Sequence, residues 1–235
     1  MKEMIRRYMA QKVGSPGAWV SLLLFAVLTA LLLQNGRGGL TVLAVFVLAS
    51  GIVSRDASSG ALQMILSRPI LRVEYLLGRY FAVVLALIGY LALTFLLAVG
   101  IDMVRHLAGW SAGSSFSAGQ ALALCAEELP RGALYAAVLL FFSTFLRGFG
   151  DVLAFVMASA ILNVVPQIAM GLRKAGVVRL FQSLNANLSP EPEWQQILHG
   201  ALLQPATGRY ALALAGYLLL ATLIFNRREF SYGAD

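Results

Sequence analysis

The stretch Ser54 to Arg79, SRDASSGALQMILSRPILRVEYLLGR, decides how this chain is read. It is a polar, arginine-containing island between two strongly apolar runs, and its internal pattern is helical. Ser58 or Ser59 can cap a helix whose first turn holds Gly60 and Ala61. Leu62, Ile65 and Leu66 then recur at helical spacing, with Gln63, Met64 and Ser67 on the other face. Pro69 cannot continue that helix and biases Arg68 towards an extended conformation, so the chain turns there. A second helical pattern places Val73, Leu76, Leu77 and Tyr80 on one side and Arg72 and Arg79 on the other. The expectation is a helical elbow at a membrane surface, apolar face down, offering a small polar face to something in the water.

Composition places that elbow in a membrane protein. The chain has 235 residues, 59% hydrophobic and only 12% charged, with a mean hydropathy of +0.78. A soluble domain carries about a quarter charged residues. One polytopic membrane domain is therefore expected over 1–235. The net charge of +7 reads as membrane orientation. No basic run is interleaved with aromatics as a single-strand binder would require, so nucleic acid is not an expected partner. The single cysteine, Cys125, excludes an intrachain disulfide and a cysteine-based zinc site.

Working outward from the elbow, the apolar runs give six expected spans, at about Ala18 to Leu33, Leu40 to Val53, Tyr80 to Val104, Gly132 to Leu146, Val152 to Met170 and Tyr210 to Phe225. Residues 1–13 form an amphipathic segment, with Met1, Met4, Ile5, Tyr8 and Met9 on one face, suited to the interface with anionic headgroups. It is read as retained, because no small-residue cleavage site follows the long apolar run. Glu127, Glu128, Pro130 and Arg131 interrupt an apolar pattern, so the two glutamates are placed at the outer interface. Residues 118–129 then become an interfacial or re-entrant piece. Residues 172–208 are expected to hold two short external amphipathic helices, the first carrying Val177, Leu180, Phe181, Leu184 and Leu188 on one face. Six spans place both termini on one side, and eleven of the 18 basic residues share that side with the elbow, so it is read as cytoplasmic.

Little in the sequence points to chemistry. The two histidines, His106 and His199, fall in outer segments and are read as solvated or structural. Ser143 and Thr144 lie deep in a span with no histidine or lysine at helical spacing, which argues against a nucleophile. Asn163, Pro166 and Gln167 can line a pathway, because proline frees a carbonyl and polar side chains help to satisfy it, or can mark a packed kink. Phe141, Phe142, Phe145 and Phe149 read as lipid contact or core packing. No G-x-x-x-x-G-K-[ST] occurs, so the chain cannot build a phosphate loop.

The elbow also resembles a family. An acidic residue, then Ser-Gly, a Leu-rich turn ending in Leu-Ser-x-Pro, and Tyr-Leu-Leu-Gly-Arg opening an apolar run are similar to the permease subunits of ABC-2 type transporters. The matching positions are Asp56, Ser59, Gly60, Leu62, Leu66, Ser67, Pro69, Leu77, Gly78 and Arg79. The family often carries Glu and Thr-Leu-Glu where this chain has Asp56 and Ala61-Leu62-Gln63, so an acidic contact at Gln63 is missing. Weaker echoes lie at Phe142 to Arg147 and at the C-terminal Asn226 to Phe230.

The resemblance implies an all-α permease with six transmembrane helices, its elbow docked on a cytoplasmic ATPase subunit through Asp56, Ser59, Gly60, Gln63, Met64, Ser67 and Pro69. It implies two copies of that ATPase, carrying ATP and Mg, and a second permease chain, identical or sibling. This chain itself would bind no cofactor and have no enzymatic activity, and would sit in a bacterial cytoplasmic membrane. An alternative within the family is a permease that passes ATP-driven motion to an extracytoplasmic partner without moving a solute. Two classes outside it are an ion-coupled carrier, which needs buried carboxylates, and a membrane-embedded enzyme, which needs polar residues clustered on facing spans. Neither requirement is visible in the sequence, where every acidic residue maps near a span end or outside.

Overall fold

A computed structural model describes residues 16–34, 41–54, 56, 71–109, 116–146, 150–190 and 205–227. Among these residues the chain is all helix, with seven helices and no strand. They are α1 (Pro16–Leu33), α2 (Thr41–Ala49), α3 (Arg72–Leu107), α4 (Ala118–Ser143), α5 (Gly150–Gly171), α6 (Ala175–Leu188) and α7 (Pro205–Arg227). Four of them, α1, α3, α5 and α7, are long and apolar enough to cross a membrane. The chain is therefore a multi-pass membrane protein in character.

The helices fall into two compact units, one of Met1–Ala49 with Leu77–Ala136, the other of Ser50–Leu76 with Ala137–Asp235. In the first unit α1 packs on α2, and Ala30, Leu33, Ala98 and Cys125 form a core from α1, α3 and α4. Hydrogen bonds reinforce it. Thr29 and Tyr90 share one at 3.0 Å. Gln34 Nε2 donates to the Ala98 carbonyl at 2.6 Å, and Arg105 Nη1 donates to Gln34 Oε1 at 3.0 Å. Gly132 sits where α4 approaches α2 and α3 most closely. A Cβ there would collide with Leu87 and lie 3.3 Å from Val45 and 3.4 Å from Thr41.

In the second unit α5 and α6 form a helical hairpin joined by 172–174. Lys174 donates its N–H to the Ala169 carbonyl at 2.9 Å and Arg173 donates to Met170 at 3.1 Å. That pair of bonds is a Schellman ending, which needs a left-handed residue, and Arg173 supplies it at φ 55°. The far end of α6 meets α7, where Tyr217 donates its hydroxyl to the Leu188 carbonyl at 3.1 Å.

Several expectations need correction. The second span, expected at Leu40 to Val53, is described as helix only over Thr41–Ala49, about 14 Å at the α-helical rise, against a hydrocarbon core of about 30 Å. The backbone leaves the helix at Gly51, whose φ of 68° a glycine adopts freely. The piece at 118–129 is not separate: α4 runs unbroken through Glu127, Glu128, Pro130 and Arg131. Its backbone bonds are local and tolerate the charges, and Arg131 Nη1 holds Glu128 Oε1 at 3.0 Å one turn away. The second half of the elbow is no surface helix either, because Arg72 opens α3 and the helix continues without a break to Leu107. Residues 172–208 give the one helix α6 among the described residues, and α7 starts at Pro205. The apolar stripe of α6 is turned outward at Leu180, Leu184 and Leu188, which are exposed, whereas Val177, Val178, Phe181 and Asn185 are half-buried.

Candidate functional site

The described residues on either side of the elbow's central segment, 50–54 with 56 and 71–76, belong to the second unit, and polar side chains hold both of these roots. At the first root, just past α2, side chains of other helices accept backbone N–H groups. Gly51 donates its N–H to Asp151 Oδ2 at 2.8 Å. Val53 and Ser54 both donate to Ser143 Oγ, at 3.0 and 3.1 Å. Ser143 and Asp151 are fully buried. Ser143 is available because it is the last residue of α4; Asp151 lies in the first turn of α5, where it also accepts the Val152 N–H at 2.8 Å. A buried N–H left unsatisfied costs about 1–3 kcal/mol, so this three-donor turn depends on the two side chains.

Asp56 is the last described residue before the elbow's central segment. It is buried, and Tyr75 donates its hydroxyl to Asp56 Oδ2 at 2.7 Å. That bond joins the chain at Asp56 to the first turn of α3. Tyr75 is fully buried and stacks on Phe225 with ring centroids 5.8 Å apart. Beside it Arg72 Nη1 donates to the Phe225 carbonyl at 3.3 Å and the Asn226 carbonyl at 3.0 Å. A guanidinium there satisfies the C-terminal carbonyls of α7 and complements the negative end of its dipole. The end of α4, the start of α5, the start of α3 and the end of α7 thus all meet the elbow's roots.

Of the expected coupling residues, Asp56 is placed at this root. Ser59, Gly60, Gln63, Met64, Ser67 and Pro69 lie outside the described residues. Arg79, expected on a water-facing side, is buried. Asn163, Pro166 and Gln167 lie within α5, more than a dozen residues beyond Asp151 for the latter two and about 18 Å along the helix for Asn163. They do not converge with the elbow. Asn163 Nδ2 donates to the Ser159 carbonyl at 2.8 Å, and Asn163 and Gln167 are both exposed. Three of the four phenylalanines pack on one another: Phe141 lies 5.3 Å from both Phe142 and Phe145, and 6.2 Å from Tyr217, whereas Phe149 lies outside the described residues. His106 contacts Asp102 at 3.5 Å one turn away; His199 lies outside the described residues.

Asp56 and Asp151 lie where the expectation puts acidic residues, in the elbow and in the first turn of α5, but both are buried; Glu128, also buried, departs from it, because it lies well inside α4. Each carboxylate is engaged within its own unit, by Tyr75, by Arg131, and by the Gly51 and Val152 N–H groups. Sequence reasoning missed Ser143, Asp151, Tyr75 and Arg72 as parts of this site. The available signal was Asp151 itself, an acid placed in the turn before an apolar helix. Comparison with protein-family models, with curated proteins and with solved structures gave no match for this chain.

Proposed function

We propose that this chain is the permease subunit of an ABC-2 type exporter, a membrane-spanning part driven by ATP hydrolysis on a separate cytoplasmic subunit. The observation that carries the reading is the anchoring of the elbow. Its roots are tied by hydrogen bonds to the ends of four helices, those to Ser143 and Asp56 buried, so a push on residues 57–70 reaches α3, α4, α5 and α7 together.

In this reading α4 and the 40–53 stretch complete six crossings with the four long apolar helices. The short α2 is tolerable because Ala44, Val45, Ala49, Ile52 and Val53 are buried in protein, and broken backbone survives at membrane depth only in such surroundings. Both termini and the elbow then face the cytoplasm, in a bacterial cell membrane. Two ATPase subunits bring ATP and Mg, and a second permease chain faces the first. Asp56 supports the elbow from within, while Gln63, Met64 and Ser67 meet the ATPase.

The test is the substitution Met64→Asp in the full complex. An unpaired charge in a desolvated contact costs several kcal/mol, about 3–5 where a buried partner is missing. Met64→Asp is expected to release the ATPase or to uncouple its hydrolysis from transport, while membrane insertion persists. Gln182→Glu, on exposed α6, serves as the control and should leave ATPase association intact. Normal assembly and coupled turnover in Met64→Asp would overturn the docking role and remove the main support for the ABC-2 reading.

A further inference from the structure

α5 crosses the membrane by length and composition. Its 22 residues make a helix of about 33 Å, against a hydrocarbon core of about 30 Å, so the turn at 172–174 falls at the level of the headgroups. Charge gathers at that turn. Arg173, Lys174 and Arg179 are all exposed, and residues 152–190 contain no acidic residue to balance them. None of the three side chains makes a hydrogen bond or an ion pair with another described residue.

The backbone of the turn adds a second observation. Arg173 sits at φ 55°, the left-handed position that ends α5 and that glycine adopts without strain. The turn itself gains nothing from an arginine over a glycine, which leaves the guanidinium as the reason for the residue. The surroundings are apolar and uncovered: Met170 is 61% exposed, Leu172 63% and Leu180 57%. On α6 the half-buried side holds Val177, Val178 and Phe181, Arg179 lies opposite it, and Leu180 and Leu184 lie on the flank between.

We infer that the turn between α5 and α6 binds the headgroup of an anionic phospholipid. Arg173 and Lys174 meet the phosphate from the turn. Arg179 lies one turn into α6, and its long stem carries the guanidinium to the same level. The acyl chains lie along Leu172 and Leu180. An acidic protein approaching from water, or a free phosphate, would answer the charge and leave these leucines uncovered. A lipid accounts for both features, because it carries its phosphate beside its acyl chains. The inference needs only that α5 crosses the membrane, so it stands apart from the permease reading.

The test uses the full chain, with the subunits that accompany it, in an uncharged detergent. Phosphatidylglycerol or phosphatidylcholine is added, and retained lipid is counted by native mass spectrometry. Phosphatidylglycerol should be retained about tenfold more strongly or better. Raising the ionic strength from about 0.01 M to about 0.15 M shortens the screening length from about 30 Å to about 8 Å, and should lower that retention several-fold. Lys174→Gln and Arg179→Gln should each lower it about fivefold, the contribution of one cation at an anionic surface. Gln182→Ala, exposed on the same helix, should leave it unchanged. Arg173→Gly separates the site from the fold. It should lower phosphatidylglycerol retention while the melting temperature in lipid-free detergent holds or rises, because glycine suits φ 55° better. A lower melting temperature with unchanged retention would leave Arg173 a structural role only and overturn its place in the site. Equal retention of the two lipids, or retention indifferent to salt and to the variants, would overturn the inference. So would displacement of phosphatidylglycerol by inorganic phosphate beyond that by chloride at equal ionic strength, since that marks a site for the free anion.

Discussion

At the scale of single residues, Ser143 is a small side chain with a large local burden. Its hydroxyl accepts two backbone N–H groups, from Val53 and Ser54, in a fully buried setting. Ser143→Ala removes the acceptor without altering the packing much, so both bonds to the hydroxyl are lost. A loss of about 1–3 kcal/mol is expected, visible as a lower melting temperature in detergent. Asp151→Asn keeps the shape but turns one of two accepting oxygens into a donor that faces an N–H. It should cost at least as much, because hydrogen bonds to charged groups contribute about 1.5–3 kcal/mol. Both residues hold the same turn, so the double variant should lose less than the sum of the two. Strict additivity would mean that they act on separate structures. Asp56 belongs to the same argument. At the surface its replacement would matter little, but it is buried beneath the Tyr75 hydroxyl. Tyr75→Phe and Asp56→Ala should therefore destabilise to a similar degree, and a silent Tyr75→Phe would show that the bond does not anchor the elbow.

At the scale of elements, the crossing at Gly132 offers a sharp test of α4. A methyl group there meets Leu87 first, then Val45 and Thr41. Overpacking of this kind costs about 1–3 kcal/mol. Gly132→Ala should lower stability by that amount, and combining it with Leu87→Ala should recover part of the loss, measured as a double-mutant cycle of melting temperatures. No recovery would mean that α4 does not cross α3 there. The same helix marks where the sequence misleads. Long apolar runs with polar ends were readable, and α1 and α5 begin within two residues of the expected positions. A charged cluster such as Glu127 to Arg131 reads as an interruption because hydropathy averages over side chains. The backbone sees only its own neighbours, and the Glu128–Arg131 pair removes the reason to break. Likewise Asp56 was singled out from its motif as a docking residue, not as a buried one. Its setting was not legible, because Ser143 and Asp151 act on residues 90 to 100 positions away, far beyond the reach of a seven-residue periodicity.

At the scale of the whole molecule, the question is which segments face which side of the membrane, and α6 makes it quantitative. Tyr217 lies twelve residues beyond Pro205, so the Leu188 carbonyl it binds is about 18 Å along α7 from that helix's start. It is also about 15 Å from Arg227, close to the middle of the span. The turn at Arg173 marks the end of α5, and α6 runs back from it. The far end of α6, expected on the outer surface, therefore lies beside the middle of α7, and in the proposed reading its exposed Leu180, Leu184 and Leu188 meet lipid. Single cysteines in a Cys125→Ala background separate these positions. With a membrane-impermeant maleimide on intact cells, Ser114→Cys and Arg173→Cys should label from outside. Ser67→Cys should label only after permeabilisation, because the proposed function puts the elbow in the cytoplasm. Leu188→Cys should stay unlabelled on either side and react with a lipid-soluble maleimide instead. External labelling at Leu188→Cys would return α6 to the surface while leaving the topology unchanged. External labelling at Ser67→Cys would invert the topology, and an elbow outside the cell could meet no ATPase.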